Sequence, residues 1–274
     1  MNSKTRDFLK NWLPPAMLWH LRGFANGIRW SGNYTSWTEA QQASNGYGSE
    51  NILRAVREAL LKVKKGDAIY ERDSVLFNEI HYSWPLLAAL MWIAAASKGI
   101  LNLLDFGGSL GSTYFQNRKF LLCLPKVRWN VVEQAHFVDC GKTNFADNTL
   151  SFYYDIDACV RQESPNTILF SSVIQYLEKP YFFLEEIINL GFEYIIFDRT
   201  AFYKTERDRL TIQKVPEKIY KGSYPAWFLN KRKFLDIFSN RYEIIATWRE
   251  NTNSANIPSI FEGYLLKRRE IFEA

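Results

Sequence analysis

From residue 100 onward, short apolar runs alternate with stretches whose apolar positions recur at helical spacing. The runs predict strands over 100–106, 128–133, 150–154, 167–171 and 194–198. The intervening stretches predict helices over 111–122, 135–142 and 179–190. Short apolar strands separated by helices imply a parallel sheet covered on both faces. The order then breaks. Residues 199–228 read as a long connection with Pro216, Gly222 and Pro225, the kind of segment that forms a lid. A helix over 230–239 and strands over 242–248 and 261–268 close the chain, with polar residues 251–258 suiting an antiparallel hairpin.

Before residue 100 the pattern is helical. Ile52, Leu53, Val56, Ala59, Leu60 and Val63 keep one apolar face over 51–64, and 37–43 reads as a shorter helix. Tyr34 to Trp37 and Asn45 to Gly48 read as turns. The longest apolar run, 84–96, is too short for a bilayer, which takes about 20 residues. A buried helix fits it, with Ser83 as cap, Pro85 in the first turn and Gly99 at the end. The chain thus divides into a helical extension or cap, 1–99, and a sheet domain, 100–274, carrying a lid-like insertion at 199–228.

Composition narrows the class. A net charge of +5 over 274 residues, with no long basic run, gives no footprint for nucleic acid. Part of the positive charge lies near the start (Lys4, Arg6, Lys10, Arg22, Arg29) among Phe8, Trp12 and Trp19. That segment either docks on the main domain or rests on an acidic membrane face. No secretory leader is read there, because Trp12-Leu-Pro-Pro15 interrupts the apolar stretch. Cys123, Cys140 and Cys159 form no CxxC pair, which argues against zinc and a disulfide framework and for buried thiols in a reducing cytoplasm. An aromatic content of 16% supplies a core of large rings, or rings for a planar or sugar ligand.

The candidate chemistry begins at Leu101-Asn-Leu-Leu-Asp105-Phe-Gly107-Gly108-Ser109-Leu-Gly111-Ser112, with Val131-Val132-Glu133 beyond it. This reads as strand, glycine turn, helix, then a strand ending in an acid. Glycines allow close approach of backbone to ligand. A carboxylate on the next strand accepts from both ribose hydroxyls. The spacing is not the Gly-x-Gly-x-x-Gly of nicotinamide cofactors, and an acid beside the loop suits a cationic ligand better than a phosphate.

These segments resemble the class I S-adenosylmethionine-dependent methyltransferases. The closest likeness is to a bacterial branch associated with cell-surface polysaccharide synthesis. It is carried by Gly32-Asn-Tyr34-Thr-Ser-Trp37, the glycine segment, Trp129-Asn-Val-Val-Glu133-Gln134, Ser171-Ser172-Val-Ile-Gln175-Tyr176-Leu177, Asp198-Arg199-Thr200 and Tyr224-Pro-Ala-Trp227-Phe228. The resemblance implies a Rossmann-like sheet of seven strands, mostly parallel with the last antiparallel, and S-adenosyl-L-methionine as cofactor. It implies that Asp105, Gly107, Gly108, Ser109 and Gly111 hold the methionine portion, with Ser109 standing where the family has its middle glycine. Glu133 would hold the ribose, Gln134 and Asp155 the adenine, and Ser171 and Ser172 would close on the cofactor.

Asp198 and Arg199 stand as acceptor-binding or catalytic candidates, or as a structural ion pair. Tyr176, Tyr224 and Trp227 are candidates for a small or sugar-like acceptor, or anchors of the lid. His81 is a candidate base; His20 and His136 read as packing or surface residues. The absence of an Asn-Pro-Pro-Tyr segment and of a Pro-Cys dipeptide argues against nucleobase acceptors. The expected activity is methyl transfer to a small or sugar-like acceptor in the cytoplasm, with the basic N-terminus able to meet the inner membrane face. Two rivals stay open: a non-catalytic binding module on this fold, and a nicotinamide-dependent sugar-modifying enzyme.

Overall fold

The structure, a computed structural model, describes residues 27–45, 49–72, 75–77, 79–217, 222–250 and 255–270. The basic segment 1–26, with His20, and the glycine turn at 46–48 lie outside the described residues.

Seven strands form the main sheet. They are β4 (Ile100–Phe106), β5 (Lys126–Val132), β6 (Leu150–Tyr153), β7 (Thr167–Ser171), β8 (Tyr194–Tyr203), β11 (Tyr242–Arg249) and β12 (Ser259–Arg268). Their order is β11-β12-β8-β7-β4-β5-β6. Strands β4 to β8 pair in parallel, and β12 runs antiparallel between β8 and β11. This is a Rossmann-like sheet of seven strands with one strand inserted antiparallel near its end, as expected. It reverses strand order at β4, where open α/β sheets leave a crevice at their carboxyl edge.

The central strands are apolar on both faces because both are covered. Leu101, Leu103, Trp129, Val131 and Ile196 pack toward α2 (Ser49–Lys65), α3 (Trp84–Ala96), α4 (Ser112–Leu121) and α5 (Ala135–Asn144). Leu104, Val132, Ile168, Phe170 and Phe197 pack toward α6 (Ile156–Glu163), α7 (Pro180–Leu190) and α8 (Lys231–Asp236). Strand alternation therefore sends Asp105 to the same side as Leu101 and Leu103, beneath α4.

Two expectations are corrected. The 199–228 connection is mostly sheet: β8 continues to Tyr203, and β9 (Arg209–Val215) pairs with β10 (Gly222–Phe228). Strand β9 is central in a small sheet and buried on both faces, so it shows no period of two. Strand β10 contains Pro225, which an edge strand tolerates. The segment before residue 100 is not helical alone. Its β1 (Arg29–Tyr34) pairs with the far side of β9, and β2 (Tyr70–Arg72) forms a hairpin with β3 (Val75–Phe77). Helix α1 (Trp37–Gln42) lies against the β9–β10 sheet through Trp37 and Ala40.

Among the described residues, no helix is long and apolar enough to cross a membrane. The expectation of three buried thiols is also corrected, because only Cys159 is buried; Cys140 is half-buried and Cys123 exposed.

Candidate functional site

The loop between β4 and α4 owes its shape to its small residues. Gly107, Ser109 and Gly111 all have positive φ, +70°, +56° and +90°. A left-handed conformation explains why glycine is favoured at the middle position and shows that Ser109 adopts the same turn at some cost in strain. A Cβ on Gly108 would stand 2.5 Å from the Asp105 carboxylate, so the loop lies directly on that acid. A Cβ on Gly107 would meet Val173, which brings the loop after β7 against the glycine loop.

Asp105 is fully buried. Its Oδ2 accepts from Trp129 Nε1 at 2.9 Å, while its Oδ1 has no donor. Burial pushes the carboxyl up to about 7; the Trp129 bond and the Arg199 charge pull it down, and Glu133 pushes it further up. An acid that holds its proton more tightly when folded loses stability as pH rises between its unfolded and folded pKa. Here the window runs from the ordinary 3.8 to about 7. The carboxamide of Asp105→Asn still accepts from Trp129 but carries no buried charge. The variant is expected to exceed the wild type in stability at pH 8 by on the order of 4 kcal/mol, and to converge with it near pH 4. Parallel denaturation curves for the two proteins across that range would contradict this account of Asp105.

Glu133 stands at the tip of β5, half-buried, with its pKa raised chiefly by burial. Its Oε2 accepts from the Gln134 backbone N–H at 2.6 Å, and the Ser109 amide of the glycine loop favours its charged form. Gln134 itself is exposed at the start of α5. Asp155 caps α6, accepting from Ala158 N at 2.6 Å, on an exposed rim two strands from the loop. His136, in the first turn of α5, has a buried Nε2 with no hydrogen-bond partner.

Asp198 organises the other half of the edge. It is 1% exposed, and its two oxygens take four groups. Oδ1 accepts from Trp248 Nε1 at 3.2 Å and Ser83 Oγ at 3.4 Å. Oδ2 accepts from Ser171 Oγ at 3.0 Å and pairs with Arg199 Nε at 3.2 Å. Ser83, expected as a helix cap, makes no side-chain cap bond and turns its hydroxyl to this acid. Arg199 Nη2 in turn donates to Ser171 Oγ at 2.8 Å. Thr200 pairs with Glu262 and Phe197 with Tyr264, so Asp198 and Arg199 together face only Gly263, a β-bulge. Gly263 has no Cβ because the Trp248 indole lies over it. Ser109, Ser172 (φ +58°) and Arg199 (φ +55°) are thus left-handed non-glycine residues in the loops after β4 and β7 and at the bulge in β8. Lys98 and Ser164, at the opposite edge before β4 and β7, share that conformation.

The small sheet lies next to this edge. Tyr176 OH donates to Gln213 Oε1 at 2.9 Å, and Gln213 Nε2 donates to Tyr224 OH at 3.1 Å. The two tyrosine rings meet edge to face at 5.4 Å. Gln175, beside Tyr176, is 3% exposed; its Nε2 donates to Ser172 Oγ, and its Oε1 has no donor. Trp227 is on the opposite face of β10, stacked on Trp37 and donating to Leu177 O. His81 is not in a helix. It lies in the coil before α3, 53% exposed, against Phe77 and 3.6 Å from Glu79. Its backbone carbonyl accepts from Gln116 of α4, and with Ser83 on Asp198 the segment 81–83 spans from α4 to β8.

Sequence patterning assigns Ser83 only a capping role and draws no attention to Gln213, Trp248 or Gly263. A lone glycine inside the final strand pattern was the available signal for the last. The hydrogen bonds of the other three are long-range and leave no local pattern.

No family model and no curated protein matches the chain. Solved structures do. The N-terminal domain of EvdMO1, in the presence of SAH and D-fucose, is 12% identical with a TM-score of 0.49, over 81% of this chain and 98% of that one. Magnesium protoporphyrin IX methyltransferase from Synechocystis PCC 6803, with bound SAM, is 13% identical with a TM-score of 0.44, over 82% and 87%. The glycopeptide N-methyltransferase MtfA is 11% identical with a TM-score of 0.43, over 67% and 89%. Likeness of this degree concerns the path of the chain; residue roles follow from this chain's own geometry.

Proposed function

We propose that the chain is an S-adenosylmethionine-dependent methyltransferase acting on a small or sugar-like acceptor. The observation that carries this reading is the electrostatic character of the carboxyl edge. Asp105 lies under the glycine loop with one oxygen lacking a donor, and Glu133 stands beside the same loop. Gln175 adds a second buried acceptor without a donor. Buried acceptors call for a ligand rich in donors and positive charge. An amino acid joined to a nucleoside through a sulfonium has that character; a pyrophosphate has the opposite charge.

Gly107, Gly108, Ser109, Gly111 and Asp105 would hold the methionine portion, Glu133 the ribose, and Gln134 with Asp155 the adenine. Ser171 and Ser172 would line the side facing the acceptor. When bound, the cofactor supplies an electrophilic methyl group. The chain's own contribution is alignment and exclusion of water. Segment 81–83 and the β9–β10 sheet would form walls around the acceptor. Tyr176 and Tyr224 would offer rings and hydroxyls to a polyhydroxylated acceptor, and Trp227, stacked on Trp37, would hold the wall in shape. Asp198, already taking four groups, is suited to orient Arg199 rather than to accept a proton. His81, exposed and beside Glu79, is left as the candidate base. The likeness to the polysaccharide-associated family supports a surface-sugar acceptor met in the cytoplasm, with the basic N-terminus available to the membrane face.

The test is a crystal structure of the complex with S-adenosylhomocysteine. The expected result is an adenosyl group between the glycine loop and Glu133. Ligand density only outside the carboxyl edge would overturn the reading.

A further inference from the structure

Helix α3 is apolar along its whole length, yet among the described residues only one of its sides is covered. Leu86, Leu87, Leu90, Ile93 and Ala94 are buried against the sheet. Trp84, Ala88, Trp92, Ala95 and Ala96 recur at helical spacing on the open side, where Trp84 is 60% and Trp92 42% exposed. The buried helix expected for this run is thus buried on one face. A water-facing helix surface carries polar or charged residues at such positions, and α3 has none from Trp84 to Ala96. The apolar face continues onto the end of α4. The rings of Tyr82, Trp84 and Phe120 cluster with centroids 4.9, 5.1 and 5.7 Å apart. Leu122, just past Phe120, is 73% exposed.

Positive charge frames these side chains. Arg118 and Lys119 are exposed in the last turn of α4, and Lys98 is exposed in the turn after α3. Between Glu79 and Glu133 the only acid is Asp105, which is fully buried. We propose that the outer face of α3 and the end of α4 form a docking surface for an anionic phospholipid bilayer. Trp84, Trp92 and Leu122 would enter the headgroup boundary, while Lys98, Arg118 and Lys119 meet the phosphates. Charge decides against two other occupants. A second copy would bring these cations against their own counterparts with no acid to pair them. Residues 1–26 carry Lys4, Arg6, Lys10 and Arg22 against Asp7 alone, so that segment has the same sign of charge as the face. The face begins one residue after Ser83, whose hydroxyl donates to Asp198, so a bilayer held there lies beside the carboxyl edge. The proposal does not depend on the cofactor reading.

Co-sedimentation of the full chain with lipid vesicles tests it. Vesicles of equal parts phosphatidylglycerol and phosphatidylcholine are expected to bind the protein, less so at high salt, and vesicles of phosphatidylcholine alone to bind it far more weakly. The triple variant Lys98→Gln/Arg118→Gln/Lys119→Gln is expected to lose roughly 100-fold in affinity for the anionic vesicles, at about fivefold for each charge. Trp84→Ala with Leu122→Ala is expected to lose roughly 10-fold, because less apolar area enters the lipid. Phe182→Ala is the control. That ring is 61% exposed but lies on α7, on the other side of the sheet, and its loss should leave binding within about twofold. Melting curves check that each variant is folded. A wild type that does not bind anionic vesicles overturns the proposal. So does binding that both patch variants retain, which would move the lipid contact to another part of the chain. Self-association abolished by Trp84→Ala with Leu122→Ala, without vesicle binding, overturns it in favour of a second copy.

Discussion

Asp198→Ala is expected to lower folding stability by about 3–5 kcal/mol, the range for removing one partner of a buried ion pair. The substitution leaves the Arg199 guanidinium without its carboxylate and removes the acceptor for Ser83, Ser171 and Trp248. These groups come from the segment before α3, the end of β7 and β11, so the damage extends across the carboxyl edge. Arg199 is left-handed at the bulge, and its ion pair with Asp198 helps hold that conformation. Asp198→Asn retains one acceptor and the shape, and should cost less, on the order of 2 kcal/mol. Denaturant titration of the three proteins checks the ranking. An alanine variant within about 1 kcal/mol of wild type would show that the four contacts are incidental.

Glu133→Ala is expected to reduce affinity for S-adenosylhomocysteine by roughly 10²–10³-fold, as for loss of two charge-assisted hydrogen bonds. The fold should survive, because burial already raises the pKa of this acid and its removal relieves that penalty. The Gln134 amide loses an acceptor, but at a half-buried position water can replace it. Calorimetry of the variant against wild type, with melting curves as a control for folding, separates the two effects. Wild-type affinity in a folded Glu133→Ala protein would remove the ribose role.

Much of the sheet was legible because parallel strands buried on both faces leave continuous apolar runs. Strands β4 and β7 have the predicted limits, and the closing pair β11–β12 appears where polar residues separated two apolar runs. The glycine turn and the place of Glu133 beside it were legible because small residues between an apolar strand and a helix mark a tight turn, and the next apolar run ends at the acid. The small sheet was not legible. Strand β9 is covered on both sides, Pro225 sits on the edge strand β10, and β1 lies almost 180 residues before its partner. Helix α6 was missed although Asp155 caps it; the acid had been assigned to the adenine, and a cap and a ligand contact use the same residue type. The Asp198 centre was half legible. Asp198-Arg199 stood out at a strand end, but its partners Ser83 and Trp248 lie 115 and 50 residues away.

The central claim is that the carboxyl edge binds a donor-rich nucleoside with a thioether or sulfonium at its centre. Titration of the native chain with S-adenosylhomocysteine, beside NAD under the same conditions, tests it most directly. The account predicts saturable one-to-one binding of S-adenosylhomocysteine and none of NAD. Heat of binding from NAD with none from S-adenosylhomocysteine would contradict it.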